Sequence, residues 1–196
     1  MLFRSPGSAA TTAKFQIGEF AKVLTEDGRA VEAGSGERGL LALGGPIPLG
    51  YYKDPEKTAA TFREFDGARY SIPGDWATVA ADGTIELLGR GSVSINSGGE
   101  KIFPEEVEEA VKLHPAVADA IVVGVPDEKF GEAITAVVSL RPGETATPAE
   151  IIDAVYANLS RFKAPRHVVI IDEVKRGPNG KADYAWAKAL AVAAVS

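Results

Sequence analysis

The sequence contains no cysteine, which excludes a disulfide framework and any thiolate metal site. Histidine is nearly as scarce: His114 sits at a helix end before Pro115, and His167 begins a strand-like run. Neither has a partner at a spacing that suggests a metal, and no nucleophile–base pair of the Ser-His kind stands out. No apolar run reaches the roughly 18 to 20 residues that a membrane span needs. The opening "MLFRSPGSAATTAKF" lacks the apolar h-region of a signal peptide. Positive charge is also in deficit. With 21 Lys and Arg against 27 Asp and Glu the net charge is −6 and the pI is near 5.1, so no broad basic face for nucleic acid is expected. Together these absences lead to the expectation of a soluble, cytoplasmic chain.

What is present is ordinary globular composition, 45% hydrophobic and 24% charged over 196 residues, enough for one domain or two small ones. Residues 1–14 are small and polar without periodicity and are expected to be loose. From 15 to 88, the strand-like runs "KVLTEDGRAV", "GLLALGG" and "YSIPGDWATVAADGTIELL" alternate with turn signals, and Asp27-Gly28 and Asp82-Gly83 read as hairpin turns. A short helix is expected at 55–63, with Pro55 at its first position. After Arg90 the rhythm changes. Residues 104–113 read as an amphipathic helix, Val107 and Val111 on one face and Glu105, Glu106, Glu108 and Glu109 on the others. "VADAIVVGV" and "AITAVVSL" are rich in β-branched residues and read as buried strands. Thr147, Pro148 and Glu150 form a capping-box arrangement at the start of another helix. "HVVIID" reads as a strand, and a last helix is expected near 181–194. The expected class is therefore α+β in two domains, a β-rich 1–89 and an α+β 90–196 with a short sheet flanked by helices, joined near Gly89-Arg90.

Several polar features lie in the loops of this pattern. Asp75 follows a Pro-Gly turn just before a strand, where it can satisfy its own turn or accept from a ligand. Arg90 stands at the expected joint, either as an interdomain salt-bridge partner or as a ligand contact. Phe130 in "DEKFGE" and Phe162 in "SRFKAP" are aromatics in polar loops between buried elements, a setting that also suits core or rim aromatics. Lys181 lies behind Pro178-Asn179-Gly180, a tight turn expected to present its amine at a loop tip. Gly98 and Gly99 stand between a strand-like run and the helix opened by Pro104. A turn accounts for one glycine; two in a row, followed by Glu100-Lys101, suggest something approaching the backbone closely.

The segments "GERGLLALGGPIPLGYYKDPEKTAATF", "YSIPGDWA", "GRGSVSINSGGEKIFPEEVEE" and "GPNGKADY" occur in the order of the late motifs of the adenylate-forming superfamily. That superfamily includes acyl-CoA synthetases, luciferases and peptide-synthetase adenylation domains. The chain resembles it from about residue 18 onward, and its wording is similar to that of actinobacterial fatty-acyl-CoA ligases, a branch with steroid-side-chain enzymes. The resemblance implies that 1–89 is the last β-rich piece of a large adenylating domain and 90–196 a C-terminal lid that swings between two half-reactions. In the first, a carboxylate attacks the α-phosphate of ATP to give acyl-AMP and pyrophosphate; in the second, the CoA thiol attacks the acyl-AMP.

Residue by residue, the resemblance assigns Asp75 to the ribose hydroxyls, Arg90 to ribose or phosphates, and Lys181 to the carboxylate and α-phosphate. Gly91 and Ser92 fall at the hinge, where relatives usually have Asp or Lys in place of Ser92. The resemblance places Gly98 and Gly99 along the pantetheine tunnel and counts Lys101 among the CoA-binding residues, so Gly99 is expected to be a packing requirement for a ligand rather than a turn requirement. Phe130, Gly131, Phe162 and Lys163 are placed near the CoA nucleotide. The family's earlier phosphate loop and its Tyr-Gly-x-Thr-Glu-like segment are not in this chain, so ligands for Mg²⁺ are expected outside it, and the chain alone is expected to be inactive. Two further readings stay open, a non-catalytic CoA- or nucleotide-binding module that homodimerises through an exposed former interface, and an adenylating enzyme that loads a carrier protein.

Overall fold

A computed structural model describes residues 14–16 and 18–195. Most of the expected loose segment, residues 1–13, lies outside them. The chain divides into two compact units, one within Thr12–Ser92 and the other Val93–Ser196.

The first unit is a twisted antiparallel sheet of β1 (Lys14–Gln16), β2 (Ala21–Leu24), β3 (Gly39–Leu43), β4 (Phe62–Phe65), β5 (Ala68–Ser71), β6 (Asp75–Val79) and β7 (Thr84–Arg90), with α1 (Pro55–Thr61) before β4. Its order is β1-β7-β6-β3-β5-β4, and β2 pairs with β3. Asp82-Gly83 turns β6 into β7, while Asp27-Gly28 makes a turn that returns only to a single bridge between Leu24 and Ala30. The helix expected at 55–63 stops at Thr61. Phe62 is already extended, because Phe62–Phe65 pairs with Ala68–Ser71 through a hairpin at Asp66-Gly67. Both turn residues have positive φ, 49° and 71°, the requirement of a two-residue hairpin.

In the second unit the sheet consists of β8 (Ile95–Ser97), β9 (Glu100–Ile102), β10 (Val117–Asp127), β11 (Gly131–Leu140) and β12 (His167–Ile171). It is mixed: β12 pairs parallel to β11, and the other ladders are antiparallel. Alternate residues of β10 serve opposite faces. Ala120 and Val122 pack with α2 (Pro104–Val111) and α3 (Pro148–Tyr156), while Ile121, Val123 and Val125 pack with Ala187 and Ala191 of α4 (Tyr184–Val195). Both faces are covered, which is why the strand reads as an unbroken apolar run. Thr147 caps α3 in the expected reciprocal box with Glu150, and α4 begins only at Tyr184 because Asp183 accepts from the Trp186 N–H as its cap. Among the described residues no helix is long and apolar enough to cross a membrane.

Ser97 faces Glu100, so Gly98 and Gly99 are the two central residues of a tight hairpin, with φ of 61° and 85°. A Cβ on Gly99 meets nothing within 4 Å. The expectation that one glycine suffices for the turn is therefore corrected: a hairpin of this kind needs positive φ at both positions, and conformation rather than crowding excludes a side chain in the free chain.

Among the described residues, one carboxyl group is deeply buried. Glu108 of α2 is 6% exposed and accepts from the Val122 N–H at 3.0 Å. Burial, reinforced by nearby Glu105, pushes its carboxyl up to about 7 despite hydrogen bonds from Val122 and Tyr184. The folded value lies above the ordinary 4.5, so stability is greatest below about pH 4.5 with respect to this group and is lost as pH rises through 7, by up to about 3 kcal/mol. Glu108→Gln keeps the acceptor and removes the charge; urea titrations at pH 5 and pH 8 should show a smaller loss than in the parent chain. A variant as pH-sensitive as the parent would show that Glu108 is ionised without cost. Gly99→Ala should lower stability by roughly 1–2 kcal/mol, with Gly99→Asn losing less; an unchanged urea midpoint for the alanine variant would restore the ligand-packing explanation.

Candidate functional site

In the first unit the paired residues are Asp75 and Arg90, the first residue of β6 and the last of β7. Ala77 faces Leu87 but Trp76 faces Gly89, so Leu88 is an extra residue and the register shifts. Gly89 takes φ 136° there, as a β-bulge allows. Without the bulge Asp75 would face Gly89; with it Arg90 stands opposite. Arg90 Nε donates to Asp75 Oδ1 at 3.1 Å. The two side chains are 60% and 30% exposed, and an ion pair this open contributes about 1 kcal/mol at most. Its consequence is orientation: an acceptor-only carboxylate and a guanidinium fork are held side by side within reach of solvent. The pairing joins Arg90 to Asp75 within one compact unit, which runs to Ser92.

Gly91 and Ser92 lie in a short 3-10 turn, Gly91–Val93. A Cβ on Gly91 would come within 2.6 Å of Trp76 Nε1. Its smallness is thus needed beside the indole, a steric reason distinct from backbone freedom.

In the second unit the Gly98-Gly99 hairpin and the loop bearing Phe130 meet. The Gly98 N–H donates to the Phe130 carbonyl at 2.9 Å, and Gly131 pairs with Ser97. Asp127 shapes that loop by accepting from the N–H groups of Lys129 and Phe130, both at 2.9 Å, and Gly131 closes it with φ 76°. Gly98, Gly99, Phe130 and Gly131 therefore form one cluster, and Lys101 faces Asn96 on the adjoining ladder. Sequence reasoning missed Arg166, whose guanidinium lies 3.5 Å from the Phe130 ring centre, so one face of that ring already carries a cation. It also missed Glu132, which accepts from the Asn96 N–H and pairs with Lys188 of α4.

Phe162 and Lys163 belong to a 3-10 turn, Arg161–Lys163. Phe162 is 52% exposed. Lys163 is turned inward: Nζ lies 2.5 Å from Glu106 Oε1, so its charge is already engaged. Lys181 is exposed at a tight hairpin in which the Gly177 N–H donates to the Lys181 carbonyl and the Gly180 N–H to the Gly177 carbonyl, both at 2.8 Å. The Lys181 N–H donates to Asn179 Oδ1 at 3.2 Å. This is the loop tip that the Pro-Asn-Gly sequence predicts.

Comparison with known proteins fits this geometry. Residues 106–181 match the AMP-binding enzyme C-terminal domain. The chain is 60% identical over 173 residues to a 3-oxocholest-4-en-26-oate–CoA ligase of Rhodococcus rhodochrous, covering 88% of this chain and 31% of that protein. It is 58% identical over 166 residues to a medium/long-chain-fatty-acid–CoA/3-oxocholest-4-en-26-oate–CoA ligase of Mycobacterium marinum, covering 85% and 30%. ATP-bound MatB from Rhodopseudomonas palustris superposes with a TM-score of 0.76 at 30% identity over 90% of this chain and 34% of that one. The o-succinylbenzoate CoA synthetase of Bacillus subtilis, solved with its acyl-adenylate intermediate, gives 0.76 at 29% identity over 86% and 33%. The chain thus spans about a third of the length of the relatives it matches. Residues 106–181 match the AMP-binding enzyme C-terminal domain family, and the chain is similar in sequence to part of these CoA ligases and in fold to part of MatB.

Proposed function

We propose that this chain is the carboxyl-terminal part of an ATP-dependent acyl-CoA ligase, acting on a medium- or long-chain fatty acid or a steroid carboxylic acid. The observation that carries the reading is the 60% identity to a CoA ligase across 88% of the chain. In it, residues 1–89 contribute the last strands of the adenylating domain and 90–196 form the lid. Asp75 accepts from the ribose hydroxyls, and Arg90, oriented by Asp75, supplies donors to ribose or phosphate. Lys181 meets the carboxylate and α-phosphate oxygens as charge builds on them, a role for a compact cation on a loop tip. The Gly98-Gly99 hairpin, Lys101 and the Phe130-Gly131 loop border the path of CoA, with Phe162 beside its nucleotide. Lys163 serves there by holding the Phe162 turn to Glu106.

Among the described residues no three His, Cys, Asp or Glu side chains are grouped so as to hold a metal ion. Mg²⁺ that accompanies ATP needs only one or two protein carboxylates beside the phosphates, and no step here is routed through it. Stabilising a transition state needs every face of the site at once, and Lys181, Asp75 and Arg90 are only some of them. The purified chain, given ATP, Mg²⁺ and a panel of fatty and steroid acids, should release no pyrophosphate above the level of Lys181→Ala. Acid-dependent release that disappears in Lys181→Ala would overturn this division of labour and place the whole adenylation site within these residues.

A further inference from the structure

The hairpin that presents Lys181 is not held by its own turn alone. Arg176, at its base, faces Ala182 across a single bridge and directs its guanidinium two ways. Nε and Nη2 donate to Asp119 Oδ2 and Oδ1 at 2.6 and 2.7 Å, and Nη1 donates to the Gly180 carbonyl at 3.3 Å. Asp119 sits on β10 where its register against β11 shifts, and its Oδ1 also accepts from the Ala120 N–H at 2.9 Å. The pair is half-buried, 32% and 26% exposed. Burial opposes the charge on Asp119, yet the bonds from Arg176 and Ala120 hold its carboxyl below the usual range. A bidentate arginine–carboxylate pair fixes the guanidinium plane, so the third nitrogen has a defined direction, and it points at the carbonyl one residue before Lys181. Lys181 itself is exposed, and among the described residues its ammonium has no hydrogen-bond or ion-pair partner. The lysine therefore depends on its backbone for its place.

We propose that Arg176 is a positioning residue for Lys181: anchored on Asp119 of β10, it suspends the hairpin from the central ladder and fixes the peptide that carries the lysine. The proposal rests on the reading of Lys181 as the nucleotide-facing cation. Lysine cannot replace Arg176, because an ammonium does not reproduce two parallel bonds and a third in the same plane.

Amide exchange measured by NMR on the whole chain tests it, alongside urea midpoints and ATP titration followed at the Lys181 amide. In Arg176→Ala and Arg176→Lys, exchange at Gly177 and Gly180 should quicken at least tenfold, while amides of β10 and β11 stay within about twofold of the parent. The apparent affinity for ATP reported at Lys181 should fall several-fold in Arg176→Lys, with no further loss on adding Lys181→Ala. Exchange unchanged in the hairpin would overturn the proposal. Quickened exchange with unaltered ATP affinity would reduce Arg176 to a stabiliser of the turn and overturn the positioning role. A parent chain whose Lys181 amide ignores ATP would remove the nucleotide reading of Lys181, and the positioning role with it, a failure distinguishable from the other two because it appears before any substitution.

Discussion

The long antiparallel ladder between β10 and β11 is the constraint on which the second unit depends. It runs from Val117 opposite Leu140 to Asp127 opposite Gly131, and its residues are buried on both faces. Each buried Val or Ile contributes roughly 1.5–3 kcal/mol over an exposed one, so the ladder is the least yielding part of the unit. The loops with candidate ligand contacts are attached to it. The Phe130 loop is its closed end, β8 and the Gly98-Gly99 hairpin join it at Gly131, and β12 lies along β11.

Ionic ties then fasten the loops to that frame at long sequence range. Lys163 reaches Glu106 and Arg176 reaches Asp119, each across 57 residues, and Lys188 reaches Glu132 across 56. The pairs range from largely buried at Lys163–Glu106 to open at Lys188; their shared effect is geometric, because each ends on a different loop or helix. The 3-10 turn of Phe162, the hairpin of Lys181 and helix α4 are tied in this way. In the first unit the bulge at Leu88-Gly89 has the equivalent effect, setting Arg90 opposite Asp75 through backbone register.

Local chemistry is legible in the sequence where it is carried by neighbours. The capping box at Thr147, the apolar runs of β10 and β11, and the Pro-Asn-Gly turn before Lys181 all follow from residues within a few positions of one another. Asp66-Gly67 is the same turn signal as Asp82-Gly83, yet the run after Pro55 reads as helix through Arg63. The pairing partner that makes Phe62 and Arg63 extended, at 68–71, lies outside any helical window. Gly98-Gly99 reads as a ligand's requirement, whereas the hairpin itself demands both glycines. Register and distant pairing are what the sequence hides. Nothing near Arg90 shows that Leu88 is looped out, and nothing near Arg166, Arg176 or Lys163 names Phe130, Asp119 or Glu106 as its partner. Those contacts exist only once the sheet has formed.

Under the proposed function the Gly98-Gly99 hairpin and the loops of Phe130 and Phe162 form a CoA-facing surface on the second unit. A titration of the ¹⁵N-labelled chain with CoA, followed by its amide spectrum, tests this most directly. Saturable shifts concentrated at Gly98, Gly99, Lys101, Phe130, Gly131 and Phe162 are the predicted result. No shift at those amides at millimolar CoA, or shifts confined to the first unit, would contradict it.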